Sequence, residues 1–129
     1  MIDKSRVLII DDDHEIVGGV VIRLRAAGYE TQVASEGVGG VALARQSLPD
    51  IILLDMRMPT WDGMRVLREL QTTPDTAQIP VVMLSASLGD RQRSLRAGAR
   101  LFLSKPYDGA ALVKAMSLVI EEARANHQQ

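Results

Sequence analysis

Short aliphatic runs alternate with segments of helical spacing along the whole chain, and this alternation limits the possible folds more than any other feature. The three strongest runs are Val7–Ile10, Ile51–Leu54 and Val81–Leu84, and weaker ones lie near Thr31–Ala34 and Leu101–Leu103. Such runs, bounded by polar turns, are typical of strands buried on both faces. The apolar residues between them follow one face of a helix. We therefore predict five β–α units, which form a mostly parallel sheet with helices on both faces.

Residues at the ends of the runs indicate where the helices begin and end. Gly28 and Gly98 are expected to close the first and fourth helices, because glycine accepts the left-handed backbone found at helix ends. Ser35 is expected to cap the second helix, Asp62 the third and Asp108 the fifth.

Composition narrows the function classes. A chain of 129 residues is long enough for one domain, and we expect a single domain over residues 1–129. Its core is expected at about 6–124, and residues 125–129 are expected to be a tail or the start of a linker. Fifteen basic against sixteen acidic residues argue against nonspecific nucleic-acid binding, and the absence of cysteine excludes thiol chemistry. No apolar stretch approaches the ~20 residues of a membrane span, and the first residues have no signal-peptide core. We therefore expect no direct contact with nucleic acid or membrane and a cytoplasmic location.

Charged and hydroxyl side chains follow four of the predicted strands. Asp11 and Asp12 follow the first strand, Asp55 the third, Ser85 the fourth and Lys105 the fifth. In an open parallel sheet, ligands bind beyond the carboxyl ends of the strands. These side chains are therefore expected to meet at one edge of the sheet.

The expected cluster has the chemistry of a phosphoryl site. Carboxylates that converge repel one another unless a cation is present, and oxygen ligands suit a hard ion such as Mg²⁺. A serine hydroxyl and a lysine ammonium beside them can donate to a phosphate. A carboxylate in such a site can also act as the nucleophile. The residues thus suggest reversible phosphorylation of an aspartate.

Four motifs, in this order and spacing, resemble the receiver domain of two-component response regulators. They read VLIIDDD, IILLDMRMPTWDG, VVMLSA and LFLSKP, and the resemblance extends from about Arg6 to Arg124. It implies a flavodoxin-like α/β fold, a doubly wound (βα)5 parallel sheet with strand order 2-1-3-4-5.

The resemblance also implies a role for each site residue. Asp55 is expected to be the phosphoacceptor. Asp12 and Asp55 would bind Mg²⁺ (or Mn²⁺) directly, Asp11 would act largely through water, and the backbone carbonyl of Arg57 would supply another metal oxygen.

The remaining roles concern the phosphoryl group and the switch. Lys105 would pair with the phosphoryl oxygens and Ser85 would donate its hydroxyl to them. Phe102 would follow the movement of that hydroxyl. We also expect a cis peptide between Lys105 and Pro106.

The function implied by the resemblance is a phosphorylation-controlled switch rather than an enzyme, with at most self-phosphorylation from small phosphodonors and self-dephosphorylation. A histidine kinase or histidine phosphotransfer protein would donate the phosphoryl group. The adduct would then change the surface formed by the fourth helix, the fifth strand and the fifth helix, where homodimerisation is possible. The output would be an unknown downstream protein or a fused output domain.

Two other functions remain open. The sequence Asp11-Asp12-Asp13 also fits the D-x-D opening of haloacid-dehalogenase-like phosphatases, with Asp11 as nucleophile. That family has Thr or Val where this chain has Glu15, and it leaves Asp55 without a role. The chain could also be a receiver fold that serves as a constitutive interaction module.

Overall fold

Five parallel strands form one sheet in the order β2-β1-β3-β4-β5, which confirms the expected strand order. The computed structural model describes residues 4–127. The strands are β1 (Arg6–Ile10), β2 (Glu30–Ala34), β3 (Ile51–Asp55), β4 (Val81–Ser85) and β5 (Leu101–Ser104). The helices are α1 (His14–Ala26), α2 (Gly37–Ser47), α3 (Gly63–Thr72), α4 (Asp90–Arg96) and α5 (Gly109–His127). Of the predicted tail, residues 125–127 continue α5, and the last two lie outside the described residues.

The central strands are buried on both faces because each face of the sheet is covered by helices. Alternate strand residues such as Ile9 and Leu53 pack against α1 and α5, whereas Ile10 and Leu54 pack against α2 and α3 on the opposite face. This explains why the strands read as continuous aliphatic runs rather than as an alternating pattern. Within residues 4–127, no helix combines the length and apolar character needed to cross a membrane.

Most of the predicted helix ends are confirmed. Gly28 and Gly98 adopt positive φ angles of 97° and 110° just beyond α1 and α4. The carboxylate of Asp62 accepts a hydrogen bond from the backbone of α3. The prediction for Ser35 is wrong, because α2 starts one residue later than expected. Its N-cap residue is Glu36, whose side chain makes no capping hydrogen bond in the described structure.

One glycine holds α3 against the chain that follows Asp55. A Cβ at Gly63 would lie 2.6 Å from the carbonyl oxygen of Asp55 and 2.7 Å from the Cα of Met56. The Gly63 N–H also donates to the Met56 carbonyl at 2.9 Å. Since only glycine permits this approach, Gly63 helps to fix the backbone at the end of β3.

Candidate functional site

Three carboxylates converge at the carboxyl edge of the sheet, as expected. Asp11 follows β1 and Asp55 is the last residue of β3, and these two residues are 2% and 4% exposed, respectively. Asp12 is exposed. Each of the three offers one oxygen, and these oxygens all lie within 4.8 Å of one another. They form the acidic triad of the site.

The charge of the acidic triad is only partly compensated by the protein. Burial raises the pKa of Asp11, and the neighbouring carboxylate of Asp55 raises it further. A hydrogen bond from the backbone N–H of Asp13, 2.9 Å long, and the ammonium of Lys105 act in the opposite direction. Oxygen donors with uncompensated negative charge are what a hard divalent cation such as Mg²⁺ binds. The donor set therefore fits that ion.

Lys105 reaches the acidic triad from the loop after β5. Its backbone N–H donates to the carbonyl of Ser85 at 2.8 Å, which extends the pairing of β4 with β5 by one residue. Its Nζ donates to Oδ1 of Asp55 at 3.0 Å and lies 3.9 Å from Oδ2 of Asp11. The peptide between Lys105 and Pro106 is cis, as predicted. The lysine thus lies beside the expected phosphoacceptor.

Ser85 is buried at the end of β4, but its hydroxyl is already engaged. Its Oγ donates to Oδ2 of Asp90 at 2.6 Å and accepts from the backbone N–H of Ser87 at 3.1 Å. The guanidinium of Arg57 donates to both oxygens of Asp90, at 3.0 Å and 2.9 Å. The structure therefore brings Ser85 to the expected edge with its hydroxyl directed to Asp90.

Phe102 lies in the middle of β5, opposite Met83 of β4. Its side chain is partly buried and packs against the hydrophobic cluster on the α2 and α3 face. Two residues separate it from Lys105, which is the position for which the family resemblance implies a switch residue.

Two residues near the site were missed at the sequence level. Asp90 looks like an ordinary acid at the start of a helix, and only its burial, 3% exposed, distinguishes it. Tyr107 follows the cis peptide. Its burial, together with the carboxylates of Asp11 and Asp13, raises the pKa of its hydroxyl. The position of Tyr107, two residues after Lys105, is visible in the sequence, but its proximity to Asp11 is visible only in the structure.

The fold and the site together define a doubly wound α/β domain with a group of carboxylates that could hold a cation beside a lysine. The family model described as "Response regulator receiver domain" matches residues 7–117. The chain therefore belongs to the response regulator receiver domain family.

Two named relatives agree with this assignment. The chain is 41% identical to the response regulator PleD of Caulobacter vibrioides, over 94% of this chain and 28% of that protein. It is 35% identical to the protein PilH of Pseudomonas aeruginosa, over 90% of this chain and 98% of that one. The chain thus spans little more than a quarter of the length of PleD and nearly all of PilH.

A solved structure bears directly on the acidic triad. The receiver domain of sensor histidine kinase PA1611 from Pseudomonas aeruginosa PAO1 superposes with a TM-score of 0.85 and 28% identity, over 92% of this chain and 99% of that one. Its crystal structure has a magnesium ion coordinated in the active site cleft. The present chain is a receiver domain whose acidic triad is typical of a phosphoacceptor site and can hold a metal. Receiver domains are signalling switches and are typically regulatory phosphoacceptors rather than catalytic enzymes.

Proposed function

We propose that Asp55 accepts a phosphoryl group in a Mg²⁺-dependent reaction, and that the adduct changes the surface formed by α4, β5 and α5. The observation that carries this proposal is the salt bridge from Lys105 Nζ to Asp55 Oδ1, 3.0 Å long, within an acidic triad. A carboxylate between a cation site and an ammonium is placed where both positive charges can stabilise a phosphoryl group.

The reaction forms one bond and breaks another. A carboxylate oxygen of Asp55 bonds to phosphorus while the phosphorus–nitrogen bond of a phosphohistidine breaks, and the imidazole leaves as a neutral ring because its other nitrogen already carries a proton. Lys105 pairs with the phosphoryl oxygens, and Ser85 donates its hydroxyl to them. Phe102 follows the movement of Ser85.

Side chains of the acidic triad and one backbone oxygen would hold the metal. Asp12 and Asp55 would bind Mg²⁺ (or Mn²⁺) directly, Asp11 would act largely through water, and the Arg57 carbonyl would supply a further ligand oxygen. When bound, the ion supplies positive charge that offsets the charge developing on the phosphoryl oxygens.

The phosphodonor is a histidine kinase or histidine phosphotransfer protein. Receiver domains generally partner with histidine kinases, and a groove on this chain suits such a partner. Its volume is about 460 Å³ and its lining includes Ile16, Gly19, Lys105, Pro106 and Tyr107. An apolar groove whose lining includes the lysine of the site would let a partner's histidine approach Asp55.

The extent of the domain, its location, its partners and its self-association belong to the same proposal. Residues 1–129 form a single receiver domain that acts in the cytoplasm without binding nucleic acid or membrane. The output passes to a downstream protein or a fused output domain, and two copies can associate through α4, β5 and α5. Any enzymatic activity is limited to self-phosphorylation from small phosphodonors and self-dephosphorylation.

Intact-mass analysis after incubation with acetyl phosphate and Mg²⁺ tests this function. The native protein should gain one phosphoryl group, and Asp55→Asn should gain none because an amide cannot form the acyl phosphate. Omission of Mg²⁺ with a chelator should suppress the gain. A native protein whose mass stays unchanged with several phosphodonors would refute the proposal.

A further inference from the structure

Asp90 is a buried charged residue for which the proposed reaction has no use. It is the first residue of α4 and is 3% exposed. Its Oδ2 accepts the Ser85 hydroxyl at 2.6 Å and the Arg57 guanidinium at 2.9 Å. A carboxylate is buried only where charged or strong hydrogen-bond donors compensate it. Asp90 thus depends on two donors, Ser85 at the end of β4 and Arg57 in the loop after β3.

These contacts also attach the first residue of α4 to the loop after β3 and to the end of β4. Two of the seven residues of α4 are buried, Asp90 and Ser94, and both are polar. The hydroxyl of Ser94 donates back to the carbonyl of Asp90 at 2.7 Å, so it does not tie the helix to a strand. A helix held through polar contacts can change position when one donor leaves, because no packed apolar face has to separate.

The Ser85 hydroxyl cannot serve two acceptors at once. It has one proton to donate, and in this structure that proton goes to Asp90. Donation to a phosphoryl group on Asp55 requires that the bond to Asp90 breaks. Arg57 makes this exchange possible, because Asp90 keeps a charged partner after Ser85 has left.

We infer that Asp90 is a positioning residue that holds the Ser85 hydroxyl away from Asp55 in the resting state and competes with the phosphoryl group for it. Loss of this bond on phosphorylation releases the first residue of α4 from β4, while its contact with Arg57 remains. The inference rests on the proposed function, since it takes Ser85 to be a donor to the phosphoryl group. It identifies Asp90 as the acceptor that the phosphoryl group must replace, and it identifies the contact between Ser85 and Asp90 as the link that transmits phosphorylation to α4.

The test measures the affinity of the protein with bound Mg²⁺ for beryllofluoride, a noncovalent mimic of the phosphoryl group, by titration calorimetry. Asp90→Asn replaces the charged acceptor by a neutral one of the same shape. Hydrogen bonds to charged groups are stronger than neutral ones, so the variant should bind the mimic about fivefold to tenfold more tightly than the native protein. Asp75→Asn removes the same charge from an exposed turn and should leave the affinity within about twofold of the native value.

A double-mutant cycle separates positioning from a general effect of charge or fold. The affinity gain of Asp90→Asn should be at least about threefold larger in the native background than in Ser85→Ala, because the positioning effect acts through the hydroxyl. Equal gains in the two backgrounds, or no gain at all, would overturn the inference. If the native protein neither binds the mimic nor becomes phosphorylated, the proposed function itself fails, and the inference fails with it.

A second measurement needs no substitution at Asp90. In the native protein, the NMR chemical shift of the Asp90 carboxylate carbon should change when beryllofluoride is added with Mg²⁺, because its closest donor leaves. The carboxylate carbon of Asp75 serves as the control and should not respond. An unchanged Asp90 signal in protein saturated with the mimic would contradict the inference even if the Asp90→Asn variant does not fold.

Discussion

Asp11→Asn should have opposite effects on the stability of the metal-free protein and on its response to Mg²⁺. The substitution keeps an oxygen that can accept the backbone N–H of Asp13 and removes one negative charge from the acidic triad. It therefore isolates the electrostatic cost of assembling the site from the packing around it.

The expected change in the free energy of unfolding follows from the distances between the charges of the site. Two unit charges at the 4.8 Å limit of its oxygens repel by about 3.5 kcal/mol at an effective dielectric constant of ~20. Asp11 faces two such carboxylates, whereas the ammonium of Lys105, 3.9 Å away, attracts it by about 4 kcal/mol. Burial adds a further cost, in agreement with the raised pKa of Asp11. Allowing for local relaxation, we expect the variant to gain about 1–2 kcal/mol in free energy of unfolding, or roughly 3–8 °C in melting temperature.

The assay is thermal or urea unfolding of the native protein and the variant, in a chelator and at several Mg²⁺ concentrations. Mg²⁺ at ten times its dissociation constant should stabilise the native protein by about 1.4 kcal/mol. The variant should gain less than half of this at the same concentration. Asp75→Asn, an exposed control, should behave like the native protein. A variant that is less stable than the native protein in chelator, or equally stabilised by Mg²⁺, would refute the electrostatic argument.

The remaining predictions concern pH and packing. Because the pKa of Asp11 is raised, the folded protein takes up this proton before the unfolded chain does. As the pH falls from the raised pKa of Asp11 to about 3.9, the contribution of Asp11 should therefore make the metal-free protein more stable and Mg²⁺ binding weaker. Unfolding and Mg²⁺ titrations at several pH values check both effects. Stronger Mg²⁺ binding at lower pH would contradict the expected direction. Gly40→Ala should cost about 1–3 kcal/mol in urea unfolding, because its Cβ would lie 2.6 Å from Cδ1 of Ile10. Gly18→Ala, whose Cβ meets nothing within 4 Å among the described residues, should instead stabilise α1 by about 0.5–1 kcal/mol; equal effects of the two substitutions would show that the close contact is unimportant.

The alternation of strands and helices, and the residues expected at the carboxyl edge of the sheet, could be predicted from the sequence because both depend on local signals. Aliphatic runs bounded by turns define buried parallel strands, and the residue that follows each strand lies at the carboxyl edge whatever the helices do. Asp11, Asp55 and Lys105 could therefore be brought together without a structure. Strand order and the individual roles required the family resemblance, because spacing alone does not say which strands are neighbours.

The contacts of Asp90 could not be predicted in the same way. Its bond to Ser85 depends on how the loop after β4 turns, and its bond to Arg57 depends on the rotamer of a long, exposed side chain. Neither follows from hydrophobic periodicity. An acid in the first turn of a helix is explained equally well by the helix dipole, so its burial is visible only in three dimensions.

The location of the phosphoryl group tests the central claim most directly. Borohydride reduces an acyl phosphate to the alcohol, so an aspartyl phosphate becomes homoserine, which peptide mass mapping can locate. After phosphorylation with acetyl phosphate and Mg²⁺, conversion is expected at Asp55 alone. Conversion at Asp11 would instead indicate the D-x-D phosphatase chemistry, and protein that carries the phosphoryl group on any other residue would contradict the account.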